Sequence, residues 1–415
     1  MKKLQHIIMI ALILIGLATP TLAQEQTDDF NVSAKHAIAI EATTGKVLYE
    51  KDATTPDGVA SMTKILTAYM VYKAVDQGKI NWDTEVDISD YPFNLTVDSE
   101  VSNVPLDSRK YTVKQLLDAT LISSANSAAI ALAEKISGSE SAFVDTMTAQ
   151  LKEWGITDAK LFNASGLNNK YLGDNRYPGS KADDENTMSA LDVAIIADHL
   201  IKDYPQVLEI TKQTETDFEG DNKLTTHNYM LEGQDNYRED VDGLKTGTTE
   251  LAGASFVAHS NENGMNLITV VMNADNGGED EAARFTATNE LLDYVTQNWG
   301  IKTLNTKGQI VKKNDIKVSD GDSQTISAKL ESDLTVVQKI NSKNDAVKIK
   351  AKTITASIKK GDTIGTATFD DKDLVGTGYI SDPPQISVTA NQSIKKSFFL
   401  KVWWNHIINF FTGNK

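Results

Sequence analysis

Three short stretches of this chain combine residue types able to carry out acyl transfer: Ser61-Met62-Thr63-Lys64, Ser124-Ala125-Asn126 and Lys245-Thr246-Gly247. A serine hydroxyl is a weak nucleophile until a base removes its proton. A lysine buried among apolar groups can be that base, because burial disfavours the ammonium form and lowers its pKa. Such chemistry needs neither histidine nor metal.

Ser-x-x-Lys occurs at Ser61, at Ser357 to Lys360 and at Ser393 to Lys396, and only the first has a setting suited to catalysis. From Gly58 to Tyr72, Lys64 is the single charged side chain in a mostly apolar run. That run predicts a largely buried helix following Pro56-Asp57 and closed by Gly78. Residues i and i+3 share a helix face, so Ser61 and Lys64 meet. A serine in the first turn also lies at the positive end of the helix dipole, where backbone N–H groups stabilise a developing oxyanion. Ser357, in a strand-like Lys-rich segment, and Ser393, before a basic tail, read as cap or surface serines beside solvated lysines.

The second stretch falls at a break between two helical patterns, Val113 to Ile122 and Ser127 to Ile136. Its polar cluster reads either as a helix start or as chemistry. In the latter case Ser124 relays a proton and Asn126 holds a substrate amide carbonyl. The third stretch opens a hairpin pattern: Gly243 to Thr248, a turn with Gly253, Ala254 to Ser260, then Asn263-Gly264 and Met265 to Asn273. Gly247 permits close approach of another backbone or a ligand, and Lys245 supplies a cation beside it, suited to a carboxylate. Taken alone, Lys-Thr-Gly also reads as a solvated edge-strand lysine.

The elements needed to hold these groups are strands at both ends of the first three hundred residues (Ala37 to Ile40, Lys46 to Glu50, and the hairpin), helices between, and a final helix from Ala282 to Trp299. The pattern predicts an α/β (α+β) fold in which an antiparallel sheet is covered by helices on both faces. Asp275 to Glu281 reads as a solvated loop without EF-hand spacing, and Glu185-Asn186 as a surface loop.

Composition removes other chemistries. The 415 residues contain no cysteine, which excludes disulfides, a thiol nucleophile and a Cys-based zinc site. His6, His36, His199, His227, His259 and His406 show no metal spacing, and neither a Gly-x-Ser-x-Gly elbow nor a phosphate-binding glycine loop is present. No cofactor is called for. The formal charge is −16; without Lys2 and Lys3 it is −18, and the four lysines after residue 393 leave −22 on the body between. A body so acidic does not bind nucleic acid through its bulk charge.

In their order and spacing, with Ser124 63 residues after Ser61 and Lys245 a further 121 on, the three motifs resemble the penicillin-binding protein and serine β-lactamase superfamily. More narrowly the chain is similar to the low-molecular-mass D-alanyl-D-alanine carboxypeptidases of the type-5 group. Thr44-Gly45-Lys46-Val47-Leu48-Tyr49 after Ala37-Ile38-Ala39-Ile40, Asn163-Ala164-Ser165-Gly166-Leu167, and Val241-Asp242-Gly243-Leu244 also carry this likeness. The resemblance implies Ser61 as acyl-enzyme nucleophile, Lys64 as its base, Ser124 as proton relay and Asn126 as a substrate-orienting group. It implies Lys245 facing the terminal carboxylate, Thr246, Gly247 and Thr248 forming the rest of that wall, and the N–H groups of Ser61 and Thr248 forming the oxyanion hole. The implied substrate is peptidoglycan pentapeptide ending in D-Ala-D-Ala, with β-lactams as inhibitors. Class A β-lactamases differ, having Ser-Asp-Asn as middle motif and a dedicated deacylating Glu, so a long-lived penicilloyl adduct is expected here. A β-lactamase or DD-endopeptidase of the same fold, and a non-catalytic β-lactam-sensing or wall-binding module, stand as alternatives.

The ends suggest where such an enzyme works. Lys2 and Lys3, the apolar run Ile7 to Leu17 and Thr21-Leu22-Ala23 read as an export signal over residues 1–23. The catalytic region is expected over residues 30–300 and a small all-β domain over 301–392, where Thr353 to Ile358, Thr363 to Phe369 and Gln385 to Thr389 alternate with turn residues. Over residues 393–415, Ser397, Lys401, Asn405 and Asn409 form one polar stripe on a Trp- and Phe-rich surface. A helix from Phe398 to Phe411 is about 21 Å long, short of the ~30 Å needed to span hydrocarbon, and is expected to lie in the outer face of the membrane as an amphipathic anchor.

Overall fold

The computed structural model describes residues 30–98, 100–312, 315–351 and 354–398. The expected export signal and nearly all of the expected tail helix lie outside the described residues. Among the described residues no helix is long and apolar enough to cross a membrane.

The N-terminal strands β1 (Ala34–Glu41) and β2 (Lys46–Lys51) join β3 (Val241–Thr249), β4 (Gly253–Glu262) and β5 (Met265–Ala274) in one antiparallel sheet of order β2-β1-β5-β4-β3. Strand β1 sits inside this sheet with every residue but Lys35 buried. That burial on both faces explains the unbroken apolar run from Ala37 to Ile40, in place of the alternation of a half-exposed strand. Ile38, Ile40, Ile268, Val270 and Met272 face a large helical core. On the opposite face Phe256 packs edge-on against Phe285, with ring centroids 5.2 Å apart. The two faces are therefore covered by different helices, as the sequence pattern predicts.

Helix α1 (Lys64–Asp76) runs through the middle of the helical layer, continuing from a 3-10 turn, Ala60–Thr63. Apolar residues surround it on all sides because helices pack on all its sides: α2 (Val113–Leu121), α3 (Asn126–Ser137), α4 (Glu140–Glu153) and α5 (Ala190–Asp203). Thr112 and Gln115 close a capping box at the start of α2, which fixes the register of the segment that leads to Ser124. Helix α6 (Ala283–Asn298) covers the other face of the sheet.

The C-terminal part is all β. It contains β6 (Trp299–Asn305), β7 (Ile316–Ser319), β8 (Ala328–Leu330), β9 (Leu334–Lys339), β10 (Val347–Lys350), β11 (Thr363–Phe369) and β12 (Gln385–Ala390), with a four-stranded sheet of order β8-β12-β11-β10. Its own core includes Leu334, Val336, Ala367 and Val388. Of the expected run Thr353 to Ile358, Ile354–Thr355 is strand among the described residues. This part is fastened to the first sheet by Lys46, which is fully buried. Its Nζ lies 2.7 Å from Asp371 Oδ2, donates to Val337 O at 2.9 Å and sits 4.7 Å from the centre of the Trp299 ring.

Candidate active site

The turn bearing Ser61 is shaped from two sides. Ala60 is held at φ +44, a left-handed conformation that costs a non-glycine residue energy and persists only where packing enforces it. The enforcing neighbours are two glycines. At Gly166, φ +78, an added Cβ would stand 1.7 Å from Ala60 O; at Gly247 it would stand 2.7 Å from Val59 O. The close approach expected of Gly247 is therefore made by the backbone of the Ser61 turn itself. It brings the end of β3 beside Ser61.

Lys64 is fully buried, and its Nζ lies 2.8 Å from Ser61 Oγ, 2.8 Å from Asn126 Oδ1 and 2.7 Å from Ser165 O. Burial holds its pKa well below that of an ordinary lysine, and the nearby charge of Lys245 lowers it further. A neutral amine keeps two N–H bonds and one lone pair. With Asn126 Oδ1 and Ser165 O taking the two N–H bonds, the lone pair faces the Ser61 hydroxyl.

Asn126 is the first residue of α3, but its side chain does not cap that helix. Instead Nδ2 donates to Ser102 O at 2.9 Å while Oδ1 accepts from Lys64. Ser124 sits in the break between α2 and α3 at φ +56, nearly buried. It shares a cavity of about 300 Å³ with Ser61, Thr246 and Thr248.

The Lys-Thr-Gly end of β3 forms the opposite wall. Lys245 is buried, with its pKa lowered to about 7 by burial and then by the charge of Arg284. Arg284, on α6, is a functional candidate that the sequence motifs do not mark. Its guanidinium donates to Gly247 O at 3.0 Å, to Ser255 O at 3.2 Å and to Thr248 Oγ1 at 2.8 Å, and it lines the cavity holding Ser124. Its one sequence cue is a lone arginine at the head of a helix behind an acidic loop.

A second cavity, of about 210 Å³, opens on the other side of Ser61 between Gly166 to Tyr171 and Thr248 to Glu250. Here the structure corrects the reading of Glu185-Asn186 as a surface loop. Glu185 is 6 % exposed and Asn186 is fully buried. Local polarity suggested solvent; the hydrogen bonds that bury this pair reach residues far away in sequence. The structure thus brings Ser61, Lys64, Ser124, Asn126, Lys245, Thr246, Gly247 and Thr248 into one cleft, together with Ser165 O and Arg284.

A serine paired with a buried lysine in a cleft between a helical layer and an antiparallel strand defines a serine acyltransferase of the penicillin-recognising kind. The chain belongs to the D-alanyl-D-alanine carboxypeptidase family, whose model matches residues 21–276, and residues 300–396 match the penicillin-binding protein 5 C-terminal domain. It is 30% identical over 411 residues, 96% of each chain, to a D-alanyl-D-alanine carboxypeptidase, DacF, of Bacillus subtilis. It is similar to the crystal structure of a peptidoglycan synthesis regulatory factor, PBP3, from Streptococcus pneumoniae, with a TM-score of 0.79 and 50% identity across 88% of this chain and all of that one. Penicillin-binding protein D2 from Listeria monocytogenes, solved in an ampicillin-bound form, matches 64% of this chain and 98% of its own with a TM-score of 0.54 and 26% identity.

Proposed function

We propose that the protein removes the terminal D-Ala from peptidoglycan pentapeptide through an acyl-enzyme on Ser61, and that β-lactams acylate the same hydroxyl. The observation that carries this reading is the placement of the Lys64 amine between Ser61 Oγ, Asn126 Oδ1 and Ser165 O at 2.7–2.8 Å, within a buried setting that favours its neutral form.

The substrate's terminal carboxylate lies against Lys245, Thr246, Thr248 and Arg284, which are the cationic and hydroxyl groups on one side of Ser61. Lys64 takes the Ser61 proton as Oγ attacks the carbonyl carbon of the penultimate D-Ala. Negative charge on the carbonyl oxygen is met by the N–H groups of Ser61 and Thr248. Ser124 relays a proton to the departing amine, free D-Ala leaves, and water then releases the shortened peptide. Removing the donor D-Ala-D-Ala bond limits cross-linking.

Both oxygens of Glu185, the one buried carboxylate lining the 210 Å³ cavity, are already engaged, by Asn168 and Thr249. A carboxylate so committed is poorly placed to activate water, which supports slow β-lactam hydrolysis rather than a β-lactamase. The export signal over residues 1–23, domains over 30–300 and 301–392, and an amphipathic tail seated in the membrane interface over 393–415 complete the reading. The polar stripe Ser397, Lys401, Asn405 and Asn409 supports the tail's role.

The test uses protein lacking residues 1–23 and the tail, with D-Ala-D-Ala pentapeptide, labelled penicillin and a Ser61→Ala control. Release of one D-Ala and a stable label, both lost in Ser61→Ala, is expected. A label without D-Ala release identifies a β-lactam sensor, and rapid loss of the label identifies a β-lactamase.

A further inference from the structure

We infer that Glu185 is a positioning residue that sets the width of the cleft holding the acyl side of the substrate. The assignment of sides rests on the proposed function: the carboxylate takes the Lys245 and Arg284 side of Ser61, so the acyl chain enters the 210 Å³ cavity opposite. One wall of that cavity is the end of β3 with the turn that follows, Thr248 to Glu250; the other is the loop from Gly166 to Tyr171. The walls come from segments about eighty residues apart in sequence, and no strand ladder joins them.

Glu185 joins them. Thr249 Oγ1 donates to Glu185 Oε2 at 2.6 Å, and Asn168 Nδ2 donates to Glu185 Oε1 at 2.7 Å. Thr249 is itself held, since its Oγ1 accepts from Ala252 N at 3.0 Å across the β3–β4 turn. The carboxylate therefore bridges a hairpin tip and a loop with one oxygen for each. A planar group with two fixed acceptors holds such a gap to a narrow range, and charge-assisted bonds of this length are the stronger kind.

The neighbour of Glu185 references this bridge to the nucleophile. Asn186 Nδ2 donates to Thr63 Oγ1 at 3.1 Å and to Asn163 O at 2.9 Å, its Oδ1 accepts from Phe162 N at 2.6 Å, and its backbone O accepts from Val59 N at 3.2 Å. Val59 and Thr63 flank Ser61. Two adjacent residues thus tie the Ser61 turn, the loop and the strand end into one frame. Asn186 fixes the frame to the nucleophile, and Glu185 spaces the two walls.

A purely structural carboxylate and a spacing one are separated by two β-lactams. Benzylpenicillin carries an acylamino side chain into the acyl-side cleft, whereas 6-aminopenicillanic acid has only an amine there. The measurement is the second-order rate of Ser61 acylation by each reagent in wild type, Glu185→Ala and Glu185→Gln, with thermal melts to establish folding. The ratio of the benzylpenicillin rate to the 6-aminopenicillanic acid rate is expected to fall about tenfold in Glu185→Ala, the order of one lost charge-assisted hydrogen bond. Glu185→Gln keeps an acceptor and is expected to recover part of the ratio. Asn168→Ala and Thr249→Val each release one wall and serve if Glu185→Ala does not fold; both are expected to lower the ratio.

An unchanged ratio in the folded variants overturns the inference, whether the two rates hold or fall together. The ratio does not depend on D-Ala release. If wild-type protein is acylated but cleaves no pentapeptide, the carboxypeptidase reading fails while the spacing role is still decided.

Discussion

Gly166→Ala offers a sharp test of how the active-site turn is built. The added methyl meets Ala60 O at 1.7 Å, Ala60 C at 2.3 Å and Thr63 Oγ1 at 2.7 Å. A real Cβ requires at least 3.0 Å, so the Ala60 carbonyl and Gly166 must separate by about 1.3 Å. Ala60 immediately precedes Ser61, and the displaced backbone carries the proposed nucleophile and one proposed oxyanion donor. A misplacement of about 1 Å costs roughly a hundredfold in rate, so acylation by fluorescent penicillin is expected to slow by about that factor or more. Alanine at φ +78 also costs about 1–2 kcal/mol. Gly138→Ala isolates that second cost, because Gly138 has φ +82 but nothing within 4 Å of the added Cβ. The assay pairs stopped-flow acylation with a urea melt on all three proteins. Gly138→Ala is expected to lose about 1–2 kcal/mol of stability with acylation unchanged, and Gly166→Ala to lose both stability and acylation rate. Wild-type acylation rates in folded Gly166→Ala would refute the idea that this contact sets the nucleophile's position.

Acylation is expected to follow a bell-shaped pH profile: it rises as Lys64 loses its proton, and falls above about 7 as Lys245 becomes neutral and stops attracting the substrate carboxylate. The two amines are coupled, so the limbs report the pair, and Lys245→Arg is expected to abolish the alkaline limb in a pH–rate measurement. Arg284→Ala is expected to raise KM for D-Ala-D-Ala peptides by about tenfold and to destabilise the protein by on the order of 2–3 kcal/mol, because it removes donors from Gly247 O, Ser255 O and Thr248 Oγ1; unchanged KM would remove Arg284 from the carboxylate wall. Glu140, buried at the start of α4, accepts from Ala164 N at 2.9 Å and from Tyr91 OH at 2.7 Å, and burial raises its pKa from 4.5 to about 7. Its raised folded-state pKa contributes stability that is complete below about 4.5 and lost as pH rises through about 7, on the order of 3 kcal/mol. Denaturant melts across that window are expected to show this slope in wild type and not in Glu140→Gln.

Much of this site was legible in the chain because its chemistry is local. The i, i+3 spacing of Ser61 and Lys64 follows from helical geometry, and the absence of other charges from Gly58 to Tyr72 already implied a buried amine. The strand pattern around Lys245 and the Asn263-Gly264 turn likewise marked the hairpin, and β1 to β5 form the antiparallel sheet that these patterns require. In the C-terminal part the runs that became β11 and β12 were legible, whereas β7, β8 and β10 are only three or four residues long, too short for a pattern to stand out in the chain.

What tertiary structure alone decided are the groups whose roles arise from distant partners. Ser165 O receives the Lys64 amine across 101 residues, through a backbone atom that no side-chain pattern announces. Arg284 reaches Gly247 from another helix, and Glu185 looked solvated because its polarity is matched by Asn168 and Thr249 rather than by its sequence neighbours. Motif and helix period specify that Ser61 and Lys64 meet, the pair proposed as nucleophile and base. The width of the cleft and the electrostatics around both lysines depend on which loops the fold packs over them, and that is a property of the folded chain alone.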